Sequence, residues 1–313
     1  MINLNTCKFC LWGFKNSYHT YGHVHEAYYR TLKAIGKEVF WIDSETDIRN
    51  IDFSNTFFLT QNDVLSRDID SIPLRKDCFY AVHNSIQGGR DRFDNLDWMA
   101  FGNYLRKNPH RGPVELLLAP DTPFYWDSKT VDFFFATNLL PNEIQANKPS
   151  RVFRSDSRVV NWVASSWQGA TQEMAQFRRA CSENQIAVEW YGQGKKGIVS
   201  VEENVRLIQE SYIAPALVSP EQYKMGYLPC RIFKNISYGQ YGVVNSEFIN
   251  DVFDGKLICN QDCYRLFYDA RERLPGIQLA DLHSLMDYVA ENHTYLNRFD
   301  ALLKAARLVL ENK

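Results

Sequence analysis

No stretch of this chain approaches the roughly 20 consecutive apolar residues that a membrane-spanning helix needs, and Met1-Ile-Asn-Leu-Asn-Thr6 lacks the charged start and apolar core of a secretory signal. The sequence-level expectation is therefore a soluble, cytoplasmic protein with no transmembrane segment. An excess of positive charge is also missing. The 35 basic and 37 acidic side chains leave a net charge of −2, which supplies no basic surface for coating phosphates, so nucleic acid is not expected as a partner. Cysteine is scarce for a disulfide-built fold, with seven residues, an odd number, scattered along 313. Cys7-x-x-Cys10 falls in an apolar run that reads as a strand, where side chains three apart diverge, so buried thiols are expected there rather than a redox pair. Cys259-x-x-x-Cys263 has no second pair at metal-site spacing. Low-complexity tracts and short repeats are absent as well.

What the chain does have is 45% hydrophobic residues at a length that suggests two ordinary domains. Apolar runs and amphipathic stretches alternate from end to end, the pattern of stacked β–α units and parallel sheets. The first half offers strands near 7–13, 38–42, 56–60, 78–83, 114–118 and 132–136. A helix from His25 to Ile35 ends at Gly36, a suitable C′ residue. The second half restarts with a strand at 160–164, a helix at 170–184 and a strand at 187–191. Ser200-x-x-Glu203 is a capping box opening the next helix, and a strand at 213–218 follows. Two helices close the chain from about Leu279. A polar break at Asn147-Lys-Pro-Ser-Arg151 is the expected join between domains 1–150 and 151–313.

The segment Tyr227–Ser246 carries the sharpest signal. Pro229 suits a first helical position, and Arg231 and Lys234, three apart, share one face of the opening turns. Free N–H groups and the positive dipole end at a helix start favour an anion, and two cations strengthen that preference. A diphosphate is the natural guest.

In order, Val160-Asn-Trp-Val-Ala-Ser-Ser166, Val188-Glu-Trp-Tyr-Gly192, Ser200-x-x-Glu203 through Ser219, and Phe233-Lys-Asn-Ile-Ser-Tyr-Gly239 followed by Val243-Val244 resemble the nucleotide-binding domain of GT-B glycosyltransferases. That resemblance covers about 150 residues. It implies an α/β architecture of two Rossmann-like domains facing each other across a cleft, with an acceptor domain at 1–150 and a nucleotide-sugar domain at 151–313. A carboxy-terminal helix packing back on the first domain would be in keeping with it. The implied activity is transfer of a hexosyl or deoxyhexosyl group from a nucleoside-diphosphate sugar to a glycan or other hydroxyl acceptor. The sequence departs from the retaining pattern of two glutamates eight apart, because Gly226 and Lys234 stand at those positions. Arg231 and Lys234 instead resemble the diphosphate clamp of metal-independent members, so neither metal nor further cofactor is expected. Within this resemblance Arg231, Lys234, Asn235, Ser237, Asn245, Ser246, Ser165, Ser166, Tyr191 and Gly192 form the donor set.

In the first half, His19-Thr-Tyr-Gly-His-Val-His-Glu26 follows the first strand, at the carboxyl end of a parallel sheet where α/β folds bind ligands. A general base for an acceptor hydroxyl needs a pKa near neutrality. His23 and His25 alternate around Val24, so one of them faces the site, and Glu26 is placed to orient it. Asp121, in Asp121-Thr-Pro-Phe-Tyr-Trp-Asp127, is the alternative base, beside aromatics suited to stacking on sugar rings. His83-Asn-Ser85 and Gln87-Gly-Gly89 could line the same site. Two other functions fit the same fold: a nucleotide-sugar epimerase, which needs no acceptor, and a non-enzymatic sugar-binding protein.

Overall fold

The computed structural model describes residues 2–15, 20–43, 45–61, 72–83, 93, 95–102, 124–127, 130–132, 135–164, 171–192, 195–224 and 226–311. They form an α/β protein with parallel sheets. By internal packing they divide into two compact units. One includes the described residues before Leu139 together with those from Tyr295 onward, and the other includes Leu139–Thr294.

Among the described residues, the first unit has strands β1 (Lys8–Trp12), β2 (Val39–Ile42), β3 (Thr56–Gln61), β4 (Phe79–His83), β5 (Asp97–Gly102), β6 (Phe124–Asp127) and β7 (Thr130–Asp132), in the order β2-β1-β3-β4-β5-β7-β6. All pairings are parallel except β6 with β7. The strand sequences explain the sheet. Every residue of β3 and β4 is buried, so their apolar runs are continuous rather than alternating, as expected for strands covered on both faces. Registered neighbours stack across the ladder. Phe57 lies on Phe79 with centroids 5.1 Å apart, and Phe58 on Tyr80 at 5.0 Å.

Helix α1 (Thr20–Ala34) begins five residues before its expected start. Val24, Ala27, Tyr28, Thr31 and Leu32 form its buried stripe, at the spacing of a single helix face. Gly36, at φ +72°, ends it in a Schellman motif, with Lys37 N–H donating to Leu32 O and Gly36 N–H to Lys33 O. The last helix, α10 (Tyr295–Glu311), belongs to this unit. Its Phe299 meets Phe9 edge-on at 5.0 Å, and its Tyr295 meets Tyr28 at 4.7 Å. Phe124-Tyr-Trp126, read from sequence as a loop, is strand β6, antiparallel to β7. The expected strand at 132–136 lies earlier, at 130–132, and the one at 114–118 falls outside the described residues.

In the second unit, β8 (Val159–Val163) pairs in parallel with β9 (Ala187–Tyr191). Short strands β10 (Pro215–Ala216), β11 (Val243–Val244) and β12 (Ile258–Cys259) make a parallel set of three. The run into β10 lies along β8, where Tyr212 N–H donates to Val159 O (2.6 Å) and Asn161 N–H to Ser211 Oγ (2.9 Å). Helices α2 (Pro141–Ala146), α3 (Thr171–Glu183), α4 (Val201–Glu210), α5 (Pro220–Lys224), α6 (Cys230–Ser237), α7 (Glu247–Val252), α8 (Cys263–Arg273) and α9 (Leu279–Asn292) complete the described part of the unit. Ser200 caps α4 as expected, its hydroxyl accepting from Glu203 N–H at 3.1 Å. Residues 147–149, at the expected domain join, are tied down inside this unit. Lys148 pairs with Asp287, and His283 Nε2 donates to Pro149 O at 2.9 Å.

All seven cysteines are free thiols. Cys7 and Cys10 are buried in and beside β1, and loss of hydration pushes the Cys7 thiol up to about 11, as suits inert core residues. No helix among the described residues is long and apolar enough to cross a membrane.

Candidate functional site

Each unit has a point where strand order reverses, and in parallel α/β sheets ligands bind beyond the carboxyl ends of the strands there. In the second unit the point is β8, with β9 on one side and the run into β10 on the other. Helix α6 supplies the charge at this edge. Its buried face is Ile232, Phe233, Asn235, Ile236 and Ser237, and that burial leaves Arg231 and Lys234 half-buried on another side. Pro229 is the N-cap rather than the first helical residue, and it provides no side-chain cap. There is no acidic residue in the first turn. The Arg231 guanidinium lies 4.0 Å above the Trp162 ring of β8. Among the described residues neither Arg231 nor Lys234 has a carboxylate partner. Loss of hydration pushes the Arg231 pKa down from its ordinary value, offset only in part by the neighbouring Cys230 and Tyr227. An uncapped helix start with two unpaired, half-buried cations is electrostatically prepared for an anion.

The other expected donor residues separate into those at the edge and those consumed by packing. Tyr191 ends β9, and its carbonyl accepts from Ala164 N–H. Gly192, at φ +138°, opens a tight loop closed by its N–H donating to Gly197 O at 2.8 Å. Asn245 follows β11, and its amide is bonded to both backbone groups of Val218, at 2.8 and 2.9 Å. It therefore fixes the backbone just after β10. Ser246, the N-cap residue of α7, is buried. Asn235 and Ser237 are engaged in packing. Asn235 is 2% exposed and donates to Ala214 O, and buried Ser237 donates to Lys234 O. Both side chains face the protein interior because they fall on the buried face of α6. Ser165 and Ser166 lie outside the described residues, as does Asp121.

In the first unit the reversal point is β1, between β2 and β3. Gly13, at φ +96°, and Phe14, at φ +62°, make the turn after it. The Gly13 carbonyl accepts from both His25 Nδ1 (2.9 Å) and Trp41 Nε1 (3.1 Å). His25 is 3% exposed, and burial pushes its pKa down to about 4. It is therefore a neutral clamp on the turn, and Gly13, not Glu26, orients it. His23 is exposed on α1. The two histidines diverge as foreseen, but because residues two apart on a helix point in nearly opposite directions.

A residue that sequence reading treated only as a strand end stands out here. His83, the last residue of β4, is 2% exposed, and neither ring nitrogen has a hydrogen-bond partner among the described residues. Tyr21 meets it edge-on at 4.7 Å, and Phe101 and Phe135 lie at 4.8 and 5.2 Å. Desolvation pushes its pKa down to about 3. Asn84, Ser85 and the 87–89 stretch are outside the described residues. Among those described, no group of three or more His, Cys, Asp or Glu side chains is placed to hold a metal ion.

No family model and no curated protein matches this sequence. Solved structures do. One is an alpha-glucosyltransferase in complex with UDP and a 13-mer DNA containing a HMU base, 11% identical over 96% of this chain and 100% of that one, with a TM-score of 0.55. Another is an alpha-glucosyltransferase with UDP and a 13-mer DNA containing a central A:G mismatch, at 10% identity, 95% and 99% coverage and a TM-score of 0.57. A UDP-forming alpha,alpha-trehalose-phosphate synthase from Burkholderia xenovorans aligns at 10% identity over 79% of this chain and 77% of that one, with a TM-score of 0.51. Two of these structures hold DNA, so the exclusion of nucleic acid drawn from the balanced charge receives no support from them. At such identities the likeness is one of fold, and the fold of this chain is that of the GT-B glycosyltransferases.

Proposed function

We propose that this protein is a glycosyltransferase that moves a sugar from a nucleoside-diphosphate sugar to an acceptor hydroxyl, acting in the cytoplasm without a metal ion. The observation that carries this reading is the pair of half-buried cations, Arg231 and Lys234, unpaired among the described residues at an uncapped helix start beside the strand reversal of the second unit. As the sugar leaves, the nucleoside diphosphate gains negative charge, and fixed cations and helix-end N–H groups stabilise that charge without a divalent ion. The aromatic surround of His83 in the first unit is the proposed place for the sugar or acceptor. Rings there offer faces for stacking, and an unpartnered nitrogen offers a hydroxyl its acceptor. His23 and Asp121 remain the proposed alternatives for the base, because the neutral clamp role of His25 leaves it poorly suited to that task. UDP is the first nucleotide to test, and both glycans and DNA belong among the acceptors tried, since related folds are described with UDP and with DNA.

The test is thermal unfolding against UDP, GDP, CDP, TDP and their sugars, with and without EDTA, because selective binding to the native state raises the midpoint. A shift with one nucleoside diphosphate that survives chelation is expected. A shift abolished by EDTA would overturn the metal-free reading, and no shift with any of them would overturn the donor site.

A further inference from the structure

The cation at the start of α6 raises a question of how it is held. Half-buried arginines are usually fixed by a carboxylate, yet Arg231 makes no ion pair and no hydrogen bond among the described residues. What it has is the indole of Trp162, 4.0 Å beneath its guanidinium carbon. Trp162 sits in β8, 5% exposed, directly registered with Trp190 of β9, whose ring meets it edge-on at 6.4 Å. Trp190 is fixed in turn, since its Nε1 donates to Ala164 O at 3.1 Å and the Lys195 ammonium lies 5.0 Å from its ring centroid. The Trp162 indole is thus buttressed by the edge-on Trp190 ring and anchored in the sheet at the strand reversal.

We infer that Trp162 is the positioning residue for Arg231, an aromatic support that fixes the cation's place while leaving its donors to an incoming diphosphate. This rests on the donor-site reading above. A carboxylate would hold the guanidinium by its N–H edge, using those donors and cancelling the charge that the ligand requires. An indole holds it by its face, through the ring quadrupole. The five N–H donors lie in the plane of the guanidinium and stay available at its rim. The arrangement also gives a cation that has lost hydration a favourable neighbour without an ion-paired carboxylate.

The experiment is calorimetric titration of UDP into the full chain and into Trp162→Leu, Trp162→Phe, Arg231→Ala and the double variants at both positions. Trp162→Leu is expected to weaken UDP about 5- to 10-fold, the range of a partly desolvated cation–π contact. Trp162→Phe, which keeps a smaller ring, should lose only about 2- to 3-fold. Neither change should weaken UDP further once Arg231 is alanine, since the indole then has nothing to hold. An equal loss from Trp162→Leu with and without Arg231 would mean a merely structural role and overturn the inference, as would unchanged affinity in Trp162→Leu. If Trp162→Leu does not fold, the Phe variant carries the same comparison. Unchanged UDP affinity in Arg231→Ala would sink the diphosphate site itself, an outcome separate from loss of the coupling alone.

Discussion

Nothing else at the start of α6 offers a planar set of donors, so removing the Arg231 guanidinium should be felt wherever a diphosphate binds. Arg231→Ala is expected to weaken nucleoside-diphosphate binding by about 1.5–3 kcal/mol, the scale of lost charge-assisted hydrogen bonds, as read by titration calorimetry. His83 is the opposite case, a polar group whose burial costs free energy in the unliganded protein because neither nitrogen is paired among the described residues. Replacing it with Phe keeps the ring in its aromatic surround and removes that cost. His83→Phe should raise folding stability by about 1 kcal/mol in urea unfolding while reducing transfer activity, and a destabilised but fully active variant would contradict the proposed role. Of these two residues, the helical placement of Arg231 was legible in the sequence because it follows from local spacing, with Lys234 three residues along. The isolation of His83 was not, because it depends on Tyr21, Phe101 and Phe135 converging from distant parts of the chain. The burial of Asn235 and Ser237 was hidden for a related reason: a motif shows which residues lie on a helix but not which of them the rest of the unit covers.

Helix ends are where the elements of this protein can be tested one at a time. Gly36 and Gly239 both terminate helices in Schellman motifs at positive φ. For Gly239 the bonds are its own N–H to Ile236 O and Gln240 N–H to Asn235 O. They differ in surroundings. A methyl group at Gly36 meets nothing within 4 Å, whereas at Gly239 it comes within 3.1 Å of the Pro149 ring and 3.3 Å of Asn147 O. Gly36→Ala should cost about 1 kcal/mol from backbone strain alone, and Gly239→Ala should cost clearly more, a difference that paired denaturation curves of the two variants would reveal. Element placement was legible wherever a cap or an amphipathic period marked it, as at Gly36, Ser200 and the last two helices. It failed for β5, β6 and β12. The last is a two-residue strand that exists only because a neighbouring strand pairs with it, and no local pattern announces such a pairing.

Acid should act on the molecule through its buried histidines. His25 and His83 have pKa values lowered to about 4 and about 3, against an ordinary 6.5. The unfolded chain therefore takes up protons below pH 6.5 that the folded chain refuses. The stability these neutral side chains permit is complete above pH 6.5 and is lost as pH falls toward 4, by up to about 1.4 kcal/mol per pH unit for each histidine. Urea midpoints measured from pH 7 to pH 4 should fall along this slope, and His83→Phe should make it shallower. The parallel α/β character of the chain was plain from its alternating runs, whereas its division was not. The polar break at 147–151 looks like a linker in sequence but is bound by Lys148 and His283 contacts within the second unit, whereas the return of the last helix to the first unit is what the family resemblance implies. That return bears on how the protein is made. A ribosome delivers Leu139–Thr294 as one uninterrupted run, so these residues are all present before Tyr295 emerges. The faces of Phe9 and Tyr28 must wait for Phe299 and Tyr295, so the first unit cannot complete its packing until Leu139–Thr294 has been made.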